Sequence, residues 1–288
     1  MSRGTTPRYR IGDAGRAATE MRPGEPSAPA GWPDTVLDDA HAAGLDIRAA
    51  SLRGLMHSRY ETPRQDCYSM AWLEEHQALI ITVADGVGAF ALSHEAAALV
   101  CRRMGTVLKR DAATGRFDWE AAFSVMSNEL DTLAVARGAE IATTVVAAAT
   151  TETERGSYRA EIAWVGDSAA YLLERDAWIV VGGTVKALAD DTQPMVSATA
   201  ALPGTHTAVT VTSIEFGSDT ALFLMTDGVA DPLGTGSGEV GQALAKWWCT
   251  PPDKFEFARQ VGFARRSFDD DRTVVGLWPA VEESARLG

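Results

Sequence analysis

Residues 78–88 read Ala78-Leu79-Ile80-Ile81-Thr82-Val83-Ala84-Asp85-Gly86-Val87-Gly88. The first seven are apolar at nearly every position instead of alternating, and the run stops on Asp-Gly. A strand of that kind is covered on both faces. The pattern recurs once. Thr220-Ala221-Leu222-Phe223-Leu224-Met225-Thr226 runs straight into Asp227-Gly228.

Around these two strands the periodicity alternates between strand-like and helix-like. Ile47–Met56 and Cys67–Leu73 read as strands before the first run. Two helices follow it. In Ser93–Lys109, Val100, Met104, Val107 and Leu108 share a face; in Asp118–Arg137, Phe123, Met126, Leu130 and Leu133 do. Ser93 and Asp118 are the candidate N-caps. Strands are expected at Thr143–Thr150, Tyr158–Val165, Ala169–Glu174, Ala177–Val181 and Thr207–Phe216. Helices at Glu239–Cys249 and Asp253–Ala264 precede a last strand, Thr273–Trp278. Hairpin-length turns such as Glu154-Arg155-Gly156 and Gly166-Asp167 favour antiparallel pairing, and paired helices favour layers. The expected fold is α+β: two stacked, mainly antiparallel sheets flanked by helix pairs.

The chain has 288 residues, with 46% hydrophobic and 23% charged, the composition of an ordinary globular protein. Five of the 12 prolines fall in the first 45 residues, which carry few aliphatic side chains. Such a segment cannot offset its ordering entropy, so residues 1–45 are expected to be a disordered tail. Residues 46–279 form the expected folded domain and 280–288 a short terminal tail. The net charge of −13 opposes binding to nucleic acid or an anionic membrane. No apolar run suits a membrane span and the start lacks a secretory h-region, so a cytoplasmic location is expected. Cys67, Cys101 and Cys249 are scattered and odd in number; they read as reduced hydrophobic fillers. Trp247-Trp248 reads as core, and His57 and His94 as packing or surface residues.

The chemistry lies in carboxylates at strand ends. Asp85 and Asp227 follow strands; Asp66 and the pair Asp270-Asp271 precede them. In an antiparallel sheet those positions converge on one edge. If Leu73 pairs with Ala78, Asp66 falls opposite Asp85, with Cβ atoms about 4.5–5.5 Å apart. A cation between them is the natural compensation, and carboxylate oxygens suit Mg²⁺ or Mn²⁺ better than Zn²⁺. Gly86 lets the backbone approach closely enough for a main-chain carbonyl to join. A lone Asp-Gly is usually only a turn; acids at four ends of strong strands carry the argument.

Six blocks, in order from Ser51 to Leu277, resemble the metal-dependent protein phosphatases of type 2C. Gln65-Asp66 resembles N-E-D or N-Q-D, and Val83-Ala84-Asp85-Gly86-Val87-Gly88 resembles V-A-D-G-x-G. Ala142-Thr143-Thr144 resembles G-T-T, Val165-Gly166-Asp167-Ser168 resembles V-G-D-S, and Met225-Thr226-Asp227-Gly228-Val229 resembles S-D-G-L. Asp270-Asp271-Arg272-Thr273-Val274-Val275 resembles D-N-x-T-V-V. The resemblance implies an α-β-β-α sandwich that hydrolyses phosphoserine and phosphothreonine monoesters on proteins. It implies a hydroxide bridging two Mn²⁺ or Mg²⁺ ions, with phosphorylated proteins, among them serine/threonine kinases or their targets, as partners. Position by position, Asp85 resembles the bridging carboxylate, the Gly86 carbonyl a ligand of the second ion, and Asp227 and Asp270 ligands of the first. Asp66 would support the second ion through water. Asp167 is either a residue that shapes the site or simply a turn residue.

The chain departs from the family pattern at several points. Glu61 stands where the family often has a phosphate-holding arginine, with Arg59 or Arg64 as possible substitutes. Gln65 replaces a Glu, and Val87 stands where some members have a His that protonates the leaving group. Ala139, with Glu140 beside it, occupies the place of a third-metal Asp, which speaks against a third ion. Lys186–Gly204 takes the place of the family's flap, which would set selectivity. These departures motivate the alternative reading, a phosphatase-like regulatory or binding module with little turnover.

Overall fold

In the strand Ala78–Gly86, Ala78, Ile80 and Ala84 face a helical layer while Leu79, Ile81 and Val83 face a second sheet. That division is what a continuous apolar run requires, and it holds for Thr220–Met225 too. There Ala221, Phe223 and Met225 face helices and Leu222 and Leu224 face the opposite sheet. The structure is a computed structural model that describes residues 9–13, 15, 32–111, 114–184, 200–204 and 209–280.

The strands are β1 (Thr35–Ala42), β2 (Leu45–Leu52), β3 (Cys67–Leu73), β4 (Ala78–Gly86), β5 (Thr143–Glu154) and β6 (Ser157–Val165). They continue with β7 (Ala169–Glu174), β8 (Ala177–Gly182), β9 (Thr210–Gly217), β10 (Thr220–Met225) and β11 (Arg272–Pro279). The helices are α1 (Leu55–Arg59), α2 (Ser93–Val107), α3 (Trp119–Arg137), α4 (Asp227–Leu233), α5 (Glu239–Trp248) and α6 (Lys254–Val261). One sheet has the order β1-β2-β11-β10-β7-β8 and the other β3-β4-β5-β6-β9. Every strand pair is antiparallel. Helices α2 and α3 cover the five-stranded sheet, and α4, α5 and α6 cover the six-stranded one. The α-β-β-α sandwich expected from the sequence is the fold observed.

Local chemistry explains the element boundaries. Asp118 caps α3 by accepting from the Ala121 N–H at 3.1 Å, and Gly138, at φ 62°, closes it in the left-handed conformation. Ser93 is not a cap. Leu92 holds that position, and the Ser93 hydroxyl instead donates to the Val87 carbonyl at 2.6 Å, tying α2 to the loop after β4. Trp248 is fully buried and stacks on Phe223 at 5.2 Å, inside the core beneath α5.

Two expectations need correction. The expected tail over residues 1–45 overlaps β1, which pairs with β2 along its whole length from Thr35 to Ala42. An edge strand needs only one apolar face, so its composition resembles that of a tail. Farther upstream, the Tyr9 hydroxyl donates to Glu256 at 2.6 Å and Ile11 is buried against the core under α5 and α6. The second correction concerns Gly166-Asp167. It looks like a hairpin turn, yet β6 and β7 lie in different sheets, so residues 166–168 cross between them. Most of the flap-like stretch Lys186–Gly204, the start of Thr207–Phe216, and residues 281–288 lie outside the described residues.

Candidate metal centre

Asp85 lies near the end of β4, opposite Thr144 of β5. Leu73 does pair with Ala78, and the register runs on to Cys67 opposite Ala84, which brings Asp66 alongside Asp85. Asp227 opens α4 directly after β10, and Asp270 stands just before β11. The acids therefore come from two sheets, not from one sheet edge as expected. The chain changes sheet between β2 and β3, β6 and β7, β8 and β9, and β9 and β10, which strand-end bookkeeping alone does not reveal.

Asp85, Asp167 and Asp227 bring carboxylate oxygens within 4.8 Å of one another. Asp167 rides on the crossing between the sheets, so it is a connection residue whose side chain also reaches the cluster. Ser168 Oγ lies 2.7 Å from Thr144 Oγ1, which pins this crossing beside the strand position opposite Asp85. Thr143 Oγ1 donates to the Asp85 carbonyl at 2.8 Å. At Gly86 a Cβ would lie 2.8 Å from the Ser93 backbone and 2.9 Å from the Gln65 carbonyl. At Gly228 it would lie 1.9 Å from the Asp271 carbonyl. Both glycines of the Asp-Gly pairs thus serve close backbone approach.

The electrostatics are those of crowded acids. Burial, then Asp66, Asp227, Asp270 and Asp167, hold the Asp85 carboxyl well above the usual carboxylate range. Burial and Asp271 also raise Asp66 well above that range, against the opposing hydrogen bond from Thr226. Asp270 is raised by burial and Asp227. Asp66 Oδ2 accepts from Thr226 Oγ1 and from Thr273 Oγ1, each at 2.8 Å. Sequence reasoning gave neither threonine a role, although each sits inside a quoted block.

Asp271 is also missing from the expected site, and its role is positional. It is 2% exposed and accepts the N–H of Gly54 at 2.6 Å and of Gln65 at 2.5 Å. It thereby anchors the segments on either side of α1 to the start of β11. His57 Nδ1 lies 2.9 Å from Asp271 and 4.0 Å from Asp270. Burial works against a charged imidazole there, but Asp271, Asp270 and Asp66 outweigh it and raise the His57 pKa. His94 packs its ring edge-on against Trp32 at 4.7 Å, and burial lowers its pKa.

Glu61 is exposed in a left-handed conformation, φ 57°. Arg64 is 7% exposed, with Nε donating to the Pro33 carbonyl and Nη1 to Ser51 Oγ. It is an internal strut, engaged with Pro33 and Ser51, and does not stand in for the missing arginine. Arg59 is exposed and lies over the Tyr60 ring. A cavity of about 260 Å³ opens beside Asp270, lined by Arg53, Leu55, Phe263, Phe268 and Asp269.

The residues present fit a hard divalent cation. The clustered donors are all carboxylate oxygens, their charges repel, and Gln65 Oε1 is buried nearby without a hydrogen-bond partner.

The protein phosphatase 2C family profile matches residues 53–267. Among solved structures, the serine/threonine phosphatase of S. agalactiae superposes with a TM-score of 0.64 at 14% identity, covering 81% of this chain and 99% of that one. The catalytic domain of the phosphatase PstP, in complex with two manganese ions, gives 0.56 at 22% identity over 81% and 97%. RsbX in complex with magnesium gives 0.56 at 14% identity over 84% and 98%. A search of curated protein sequences finds no match. With the profile spanning most of the chain and the fold shared with these phosphatases, the chain belongs to the protein phosphatase 2C family.

Proposed function

We propose that this protein is a divalent-metal-dependent phosphatase that hydrolyses phosphoserine and phosphothreonine monoesters on proteins. The observation that carries the reading is the convergence of Asp85, Asp167 and Asp227 within 4.8 Å. Three like charges gathered from separate connections are unfavourable unless a cation joins them. Asp85, Asp227 and Asp270, with the Gly86 carbonyl, would hold two Mn²⁺ or Mg²⁺ ions. Asp66 would support the second ion through water, and Asp167 joins the set. Such ions, when bound, lower the pKa of a coordinated water and offset charge on the phosphate oxygens.

The chain itself supplies orientation. Thr226 and Thr273 fix Asp66 by two hydrogen bonds, and Asp271 holds the Gly54 and Gln65 backbones around it. Val87 offers no proton to the leaving oxygen. The cavity beside Asp270 has room for a substrate side chain next to the phosphorylated one. Serine/threonine kinases or their targets are the partners such chemistry serves.

The second reading, a binding or regulatory module with little turnover, is favoured by Glu61 and by the internal engagement of Arg64. The deciding experiment measures hydrolysis of an aryl phosphate and of a phosphothreonine peptide with Mn²⁺, before and after chelation. Turnover that chelation abolishes supports the enzyme. Full turnover after exhaustive chelation refutes the metal reading, and Mn²⁺ binding with no turnover on either substrate selects the module.

A further inference from the structure

Cys67 and Cys101 are 34 positions apart in sequence, but the fold packs both against one core. Cys67 opens β3 and pairs with Ala84 of β4. Cys101 lies in the middle of α2, which packs over both strands. Cys101 Sγ lies 3.9 Å from the Thr82 carbonyl of β4, and Cys67 stands opposite Ala84, two residues farther along that same strand. Both belong to the core under α2 and α3, Cys101 at 3% exposure and Cys67 half-buried at its margin. One thiol is thus open to a small reagent and the other sits behind it.

We propose that Cys67 and Cys101 form an oxidation site at which a peroxide creates an intramolecular disulfide between β3 and α2. The peroxide O–O bond breaks as the Cys67 sulfur takes one oxygen, giving a sulfenic acid and releasing water. The Cys101 thiol then attacks that sulfur; the S–S bond forms, the S–O bond breaks, and the oxygen leaves as a second water. Two thiols and one peroxide give one disulfide and two waters, and a dithiol reductant reverses the change.

The position matters because Cys67 directly follows Asp66. At its other end, α2 starts with Ser93, whose backbone touches Gly86 and whose hydroxyl holds Val87. A disulfide S–S bond is about 2.0 Å long, well inside a nonbonded thiol contact, so oxidation draws β3 and α2 together. Both elements border the carboxylate cluster. Loss of hydrolysis on oxidation therefore rests on the phosphatase reading, whereas formation of the disulfide does not.

The test treats the full chain, as wild type and as Cys249→Ser, with hydrogen peroxide, then alkylates free thiols, digests and maps peptides by mass spectrometry. Exposed Cys249 of the wild type reports that the oxidant has acted. The expected product is a Cys67–Cys101 linked peptide that dithiothreitol removes. In Cys101→Ala the link is absent and dimedone traps Cys67 as its sulfenic acid. Should Cys101→Ala fold poorly, Cys67→Ser, altered at the half-exposed member, must likewise prevent the link. Free Cys67 and Cys101 after Cys249 has been oxidised would overturn the site. Aryl phosphate hydrolysis, followed in parallel, should fall and recover with the link; a link that leaves it unchanged overturns the coupling alone.

Discussion

Asp66 at the start of β3 accepts a 2.8 Å hydrogen bond from Thr273 of β11, and that bond crosses from one sheet to the other. The same oxygen accepts from Thr226 at the end of β10, so one buried carboxylate ties the two halves of the sandwich at the carboxylate-bearing end. Its neighbour Asp85 has no comparable hydroxyl pair among the described residues and stands among Asp66, Asp227, Asp270 and Asp167. The two acids therefore serve differently: Asp66 fastens, and Asp85 is exposed to the repulsion that a cation relieves.

Asp85→Asn is expected to reduce kcat by more than about 100-fold, because removing a residue that merely supports a metal ligand costs about 10–100-fold. Its effect on the metal-free fold runs the other way. A carboxyl whose pKa is raised on folding contributes stability below its unfolded value of 3.8 that is lost as pH rises through the folded value. Asparagine carries no such penalty. Thermal melts in EDTA should show the variant gaining on wild type as pH rises from about 4 to 7. A variant that melts lower at pH 7 would refute the repulsion argument.

Mn²⁺ should raise the melting temperature by mass action. At 100 times its dissociation constant, a cation that binds only the folded state adds about 2.7 kcal/mol, or roughly 5–10 °C for a domain of this size. Differential scanning fluorimetry with and without EDTA reads the shift. No shift for wild type, under conditions where Mn²⁺ supports hydrolysis, counts against a site formed by the buried carboxylates.

Glu61 and Arg64 should separate binding from stability. Glu61→Arg restores a cation able to pair with a dianion and should lower KM for an aryl phosphate more than it changes kcat. Arg64→Ala removes the donors to Ser51 and Pro33 and should cost about 1–3 kcal/mol of stability. Urea melts and steady-state kinetics on both variants suffice. A KM rise in Arg64→Ala without any loss of stability contradicts the strut.

Truncation tests the revised boundary. Deleting residues 1–42 removes β1 and leaves β2 with a bare edge, so the melting temperature should drop and aggregation should increase. Ile11→Ala, 5% exposed in wild type, should cost about 2 kcal/mol. An unchanged melting temperature in both would restore the reading of 1–45 as a dispensable tail.

His94 sets an acid limit. Burial holds its pKa below 6.5, with Glu95 opposing and the Trp32 ring against it. A depressed pKa means stability that is present above the unfolded value and lost as pH falls through the folded one. His94→Gln should therefore lose less melting temperature than wild type between about pH 7.5 and 5. Parallel slopes for the two proteins would rule this out.

Most strands and helices were legible because their signals are local; β1, α1 and α4 were not read. The unbroken apolar runs at Ala78–Ala84 and Thr220–Met225 demanded cover on both faces, and the Leu73–Ala78 pairing fixed where Asp66 falls against Asp85. The placing of Asp85, Asp227 and Asp270 beside strand ends was likewise legible, since each adjoins a strong strand. What sequence could not supply was which strands share a sheet. Residues 166–168 have the length of a hairpin turn and instead cross between sheets, which is why Asp167 reaches the cluster. Arg64 looked available as a surface cation until Pro33 and Ser51 were seen to occupy it. Cys67 and Cys101, scattered in the chain, join one core only when α2 folds over β3. Periodicity reports the face a residue turns to its neighbouring layer, whereas contacts between distant segments depend on how layers stack, and that is decided by packing of the whole.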